Sequence, residues 1–235
     1  MKAVEVLNKL KSKIPISETW SPCTGESYGG YYMEPNKEVK KVLYCVTAEK
    51  RVQEYFLKNG YDILISHHPI HVIMSGIPQI ILHTALDCCK DGLNDYWKNF
   101  LKVKNPRHFD ANLGWYGEIE SISYDNLCDK IETELGCKMI GSRLKKINTV
   151  NSVVICTGLG GMVNESALKT NCDCYILGQC TSPIEGTGFR SVIEIGHTLS
   201  ERNGYDFIKK ILGSEVQIDI VPLEKDVCVY GEKFE

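Results

Sequence analysis

The chain has 235 residues, 43% of them hydrophobic and 24% charged, with a formal net charge of −3. That composition supports one or two packed cores without covalent staples, and the slight negative charge, with Lys and Arg dispersed, leaves no cationic field for a nucleic acid backbone. The longest apolar stretch, 72–82, is interrupted by Ser75, Gly76, Pro78 and Gln79, well short of the about 20 residues that cross a bilayer, so no membrane span is expected.

The amino-terminal segment MKAVEVLNKLKSKI alternates Lys with apolar residues at helical spacing and lacks a signal-peptide core, so it is expected to form a surface helix. KKVLYCV predicts a strand, AEKRVQEYFLKNG a helix ending at Gly60, and DILIS a second strand. PQIILHTALDCCKDGLNDYWKNFLKV is expected to be helical or helix-rich, and Pro106 to end it in a polar turn around NPRHFD. We place a lobe boundary there, giving 1–106 and 107–235 as two lobes of one compact unit. Beyond it, SYDNLCDKIETELG predicts a helix capped near Ser123, VNSVVICTG a strand and GGMVNESALKTN a helix. CDCYILG and RSVIEIG predict strands, HTLSERNGYDFIKKILG a helix and SEVQIDIVPL a final strand, which makes an α/β protein.

Eleven cysteines cannot all pair within the chain. Without an export signal, free thiols in the cytoplasm are expected. Adjacent Cys88 and Cys89, and Cys172 with Cys174, lack the spacer that lets two thiolates share one zinc.

Among six histidines, two are adjacent in ISHHPI, at the end of a predicted strand, where open α/β sheets present their ligands. Neighbouring strand residues point to opposite faces, so His67 and His68 converge only if the chain turns here, which Pro69 encourages. The competing reading is a pair of ordinary loop histidines. In HTALD, His83 and Asp87 are four apart and share a helical face, with Asp87 either a ligand or a solvated helix charge, and His83 a supporting partner. In GHTLSE, His197 and Glu201 have the same spacing. Alternatively Thr198 caps a helix and Glu201 closes a Thr-x-x-Glu capping box. Together three imidazoles and two carboxylates suit a pair of divalent metals sharing a bridging water, and mixed N and O donors favour zinc, iron or manganese. CTGLGG offers either a tight turn or backbone N–H groups for an anion, and no Walker-type GxxxxGK is present.

ISHHPI, LHTALD with the following DGLND, LGWYGEIES, ICTGLGG and GHTLSE occur in the order seen in the Ngg-interacting-factor-three-like family, which the chain resembles from Leu7 to Val229. Members are often called type 2 GTP cyclohydrolases. The resemblance implies a dinuclear metal site held by His67, His68, Asp87, His197 and Glu201. It also implies two similar interlocked α/β lobes, mixed sheets flanked by helices, the metal site between them, and a ring-shaped homohexamer. At 235 residues the chain is similar to the short form, without an inserted domain. Two segments depart from the family pattern. LGQCTSP puts Gln179 where a Gly-Glu or Gly-Asp step followed by histidine is usual, and YCVT puts Cys45 where an acid is usual. His71 is an addition that compensates if it moves protons.

Two functions follow as expectations. One is a hydrolase in which the metals activate water against a small, nucleotide-like substrate, with His83 or His71 as proton-transfer candidates. The other is a non-catalytic metal-binding scaffold or interaction module, whose metals would be fully ligated by protein.

Overall fold

The computed structural model describes residues 1–16, 30–68, 77–184 and 188–222. In chain order its elements are α1 (Ala3–Lys11), β1 (Gly30–Tyr32), β2 (Lys41–Thr47), α2 (Lys50–Lys58), β3 (Ile63–His68), β4 (Gln79–Ile81), α3 (His83–Cys88) and α4 (Leu93–Phe100). They continue with β5 (Lys104–Phe109), β6 (Gly114–Ser123), α5 (Tyr124–Leu135), β7 (Arg143–Lys145), β8 (Thr149–Cys156) and α6 (Asn164–Lys169). The last are β9 (Cys174–Leu177), β10 (Ser191–Glu194), α7 (His197–Glu201), α8 (Gly204–Leu212) and β11 (Gln217–Ile220). Two compact units result: the described residues of Met1–Gly92 with Arg202–Leu223, and Leu93–Glu201. Each is a mixed sheet with helices.

The first unit's sheet has the order β1-β4-β3-β2-β11, parallel except for β1. β2 and β3 are buried almost throughout, as parallel strands covered on both faces must be. Leu43, Cys45, Val52, Phe56 and Leu64 form one core cluster of this unit, and α1 packs on α8. A cut at residue 106 differs from this division at both ends. β11 pairs with β2, Gln217 opposite Lys41 and Ile220 opposite Tyr44, so a late strand completes the first sheet. Trp97 and Leu101, before residue 106, pack instead with Val153, Ile155 and Ile176 of the second unit.

The second sheet has the order β5-β6-β8-β9-β10-β7, with parallel pairing between β8, β9 and β10 and antiparallel pairing outside them. Strand alternation sends Val153, Ile155 and Ile176 to one core with α5, and Val154, Tyr175 and Leu177 to another. Ser123 caps α5 as expected, its Oγ accepting from Asn126 N–H.

Three expectations need correction. The stretch from Gln79 does not begin as a helix: Gln79–Ile81 is a strand between β1 and β3, since its β-branched, fully buried run suits a pleated sheet. α3 and α4 are then separate: the chain leaves the helix at extended Cys89 and turns through Asp91 at φ +63°, and Gly92 passes so close to α3 that a Cβ there would lie 2.1 Å from Leu86 O. The segment around Pro106 is an edge strand and not a turn. Its register shifts between Lys104 and Arg107, and an irregular edge tolerates a residue without an N–H. Finally, HTLSERNGYDFIKKILG is two helices, with a turn at Arg202 and Asn203 between them; Glu201 belongs to one unit and Arg202 to the other. Among the described residues no helix is long and apolar enough to cross a membrane, and the cysteines are free.

Candidate metal centre

In the first unit, β3 carries His67 and His68 at its C-terminal end, both buried. The strand runs on through both residues, His68 opposite Thr47, and Pro69 lies outside the described residues. The two rings meet edge to face at a centroid separation of 4.6 Å. Parallel β4 ends at the same edge of the sheet and leads directly into α3, which brings His83 and Asp87 there. The His83 ring lies 5.6 Å from His67 and 5.4 Å from His68. His83 holds φ +33° at the start of α3, a conformation rare for a residue with a Cβ. Asp87 Oδ1 is 3.7 Å from His67 Nε2, with 18% of its side chain exposed. Between β3 and β4, Gln79 Nε2 donates to Ser66 Oγ at 2.9 Å, fixing the strand next to His67. Cys45 faces the apolar core of this unit, and burial pushes its thiol above the ordinary range. His71 lies outside the described residues.

In the second unit, β10 is followed by α7, which carries His197 and Glu201 one turn apart and both buried. Their Nε2 and Oε1 atoms are 3.3 Å apart. The helix begins at His197, so Thr198 is not its cap and the capping-box reading of Glu201 fails. His197 Nδ1 lies 3.1 Å from Gln179 Oε1, in the turn after β9. Ser200 Oγ donates to His197 O at 2.8 Å and accepts from Gly158 N–H at 3.0 Å. Gly158, at φ +59°, forms a wall against the pair: a Cβ there would lie 2.2 Å from Glu201 Oε1. The loop is anchored by buried Asn94, whose Oδ1 accepts from Thr157 N–H at 3.0 Å and whose Nδ2 donates to Leu113 O at 3.0 Å.

CTGLGG is a tight turn in this setting. The N–H groups of Gly158, Gly160, Gly161 and Met162 donate to Ser200 Oγ, Gly158 O, Gln179 O and Leu159 O respectively, so these four are not offered to an anion. Spacing in the sequence does not mark Gln179, Ser200 or Asn94 as contributors, whereas Gly158 lies in the glycine-rich CTGLGG. The sequence signal for Gln179 is its place in LGQCTSP, a segment that departs from the family pattern.

Imidazole nitrogens paired with carboxylate oxygens in buried surroundings are the donor chemistry of zinc, iron and manganese sites. Among the described residues, histidine and glutamate side chains of this set could hold a metal ion. Histidines in such sites almost always have the other ring nitrogen hydrogen-bonded, and His197 Nδ1 has Gln179 Oε1 beside it.

The sequence matches the family described as Duf34/NIF3 (NGG1p interacting factor 3) over residues 1–72 and 70–227, and the chain belongs to that family. A protein of Methanocaldococcus jannaschii named GTP cyclohydrolase 1 type 2 homolog is 26% identical over 92% of this chain and 99% of its own. A protein of the same name from Clostridium acetobutylicum is 30% identical over 72% of this chain and 75% of its own. Two solved structures share the fold. Reduced HcgD from Methanocaldococcus jannaschii superposes with a TM-score of 0.76 at 22% identity, covering 95% of this chain and 98% of that one. TTHA1606 from Thermus thermophilus gives 0.78 at 18% identity, covering 97% and 100%.

Proposed function

We propose that the chain is a metal-dependent hydrolase of a small, nucleotide-like substrate, holding two divalent ions through His67, His68, Asp87, His197 and Glu201. The observation that carries this reading is the buried His197–Glu201 couple, with Nε2 and Oε1 3.3 Å apart and the other ring nitrogen already tied to Gln179. The His67–Asp87 couple supplies the same chemistry in the first unit. Zinc, iron or manganese held by these donors would supply Lewis acidity and lower the pKa of water toward neutrality. In this reading His83, whose ring lies beside those of His67 and His68, is the proton-transfer group, with His71 as its alternative. The name shared by the curated relatives, GTP cyclohydrolase 1 type 2 homolog, supports a purine nucleotide as the first substrate to try.

Elemental analysis of protein purified without chelator tests this reading. The expected result is about two metal ions per chain, lost in His67→Ala and Glu201→Ala, with turnover on a nucleotide panel by the wild type alone. A folded His67→Ala protein with full metal and full activity removes the proposal. A wild-type protein that takes up no zinc, iron or manganese on reconstitution favours the interaction-module reading instead. The homohexameric ring belongs to the same proposal, and a monomer by light scattering at micromolar concentration would remove it.

A further inference from the structure

We infer that Gln179 is a positioning residue for His197, selecting the ring form in which Nε2 is the donor nitrogen; this rests on the metal-binding reading above. An amide oxygen only accepts hydrogen bonds. With Gln179 Oε1 3.1 Å from His197 Nδ1, Nδ1 therefore carries the proton and donates it to that bond. The lone pair of the neutral ring is then on Nε2, the nitrogen 3.3 Å from Glu201 Oε1. Histidine ligands generally have their second nitrogen held in this way, often by a carboxylate, which makes the ring a stronger donor. Here the acceptor is a neutral amide, so the ring is oriented without the added push of a negative charge.

Gln179 is itself fixed on both sides. Its N–H donates to Gly158 O at 2.7 Å and its carbonyl accepts from Gly161 N–H at 2.9 Å. The next N–H, of Cys180, donates to Glu194 Oε1 at 2.6 Å, and Glu194 Oε2 accepts from Ser142 N–H at 2.8 Å. Gly158 also donates its own N–H to Ser200 Oγ on α7 at 3.0 Å. One glycine thus bonds, through its two backbone groups, both the residue that bears the acceptor and the helix that bears the imidazole.

Long-range proton–nitrogen spectra of the metal-free, histidine-labelled full chain, recorded where the imidazole is neutral, test the inference directly. His197 is expected as the Nδ1-protonated form in the wild type and in Gln179→Glu, with that preference lost in Gln179→Leu. Zinc affinity, read by competition with a chromophoric chelator, should fall about 10–100-fold in Gln179→Leu at an unchanged thermal midpoint. Gln179→Glu should bind zinc at least as tightly as the wild type. An Nε2-protonated His197 in the wild type overturns the inference, as does a Gln179→Leu protein that keeps both the ring form and the affinity. If the wild type binds none of zinc, iron and manganese, the metal reading falls while the spectra still decide the role of Gln179.

Discussion

The two compact units both set histidine at or just beyond the C-terminal end of a parallel strand and a carboxylate beside it, but they hold the pair by different means. In the first, His67, His68 and His83 lie with ring centres 4.6–5.6 Å apart, and Asp87, partly exposed, stands 3.7 Å from His67. In the second, one turn of helix supplies both donors, and Gln179, Ser200 and Gly158 hold them through hydrogen bonds and a close backbone approach. An imidazole bonded at one nitrogen beside a carboxylate backed by a glycine has little rotational freedom. The first unit instead gathers three imidazoles at one strand end beside its carboxylate.

The strongest way to break that comparison is Gly158→Ala. The new methyl would meet Glu201 Oε1, and alanine is strained at φ +59°; together these should cost about 2–4 kcal/mol, read by urea denaturation, and remove zinc binding. Unchanged stability and zinc content would show that the wall is not needed. Next comes His83→Asn, chosen because asparagine tolerates the positive φ found there. Turnover should fall about 100-fold while metal content stays at the wild-type level. Loss of metal instead would make His83 a ligand and the first unit's donor set larger than proposed.

The smallest effect is expected at another buried carboxylate of the second unit, Glu132. Burial works against ionised Glu132, but hydrogen bonds from Lys138 and Met139 N–H and the charge of Arg143 outweigh it and hold the carboxyl below its ordinary range. A lowered folded-state pKa contributes stability that is complete above the unfolded pKa and disappears as pH falls through the folded one. Glu132→Gln should therefore cost about 0.5–1 kcal/mol at neutral pH, a modest figure because Lys138 and Arg143 reach into solvent, with the gap to the wild type closing under acid. A gap independent of pH would mean that the charge is not what Glu132 contributes.

Local spacing made much of the site readable. His197 and Glu201 are one helical turn apart and survive as neighbours in the folded chain, and a strand ending in two histidines is visible from DILIS onward. What spacing could not supply is everything made by sheet order. Gln179 meets His197 because β9 and β10 run parallel and side by side, ending at the same edge. Gly158 meets Glu201 because β8 joins them there. Apolar periodicity could not separate β4 from the helices after it, since a run of three residues has no period to measure. Nor could it show that β11 belongs beside β2.

That last pairing makes the second unit, in effect, an insertion within the first. During synthesis Leu93–Glu201 can collapse around its own cores while the first sheet still lacks its final strand. Until Gln217–Ile220 emerge, β2 presents an unfilled edge of N–H and C=O groups, from Lys41 to Tyr44, to any extended segment nearby. A chain cut anywhere between Glu201 and Gln217 would keep that edge open permanently, so aggregation, rather than simple unfolding, is the failure such a truncation invites.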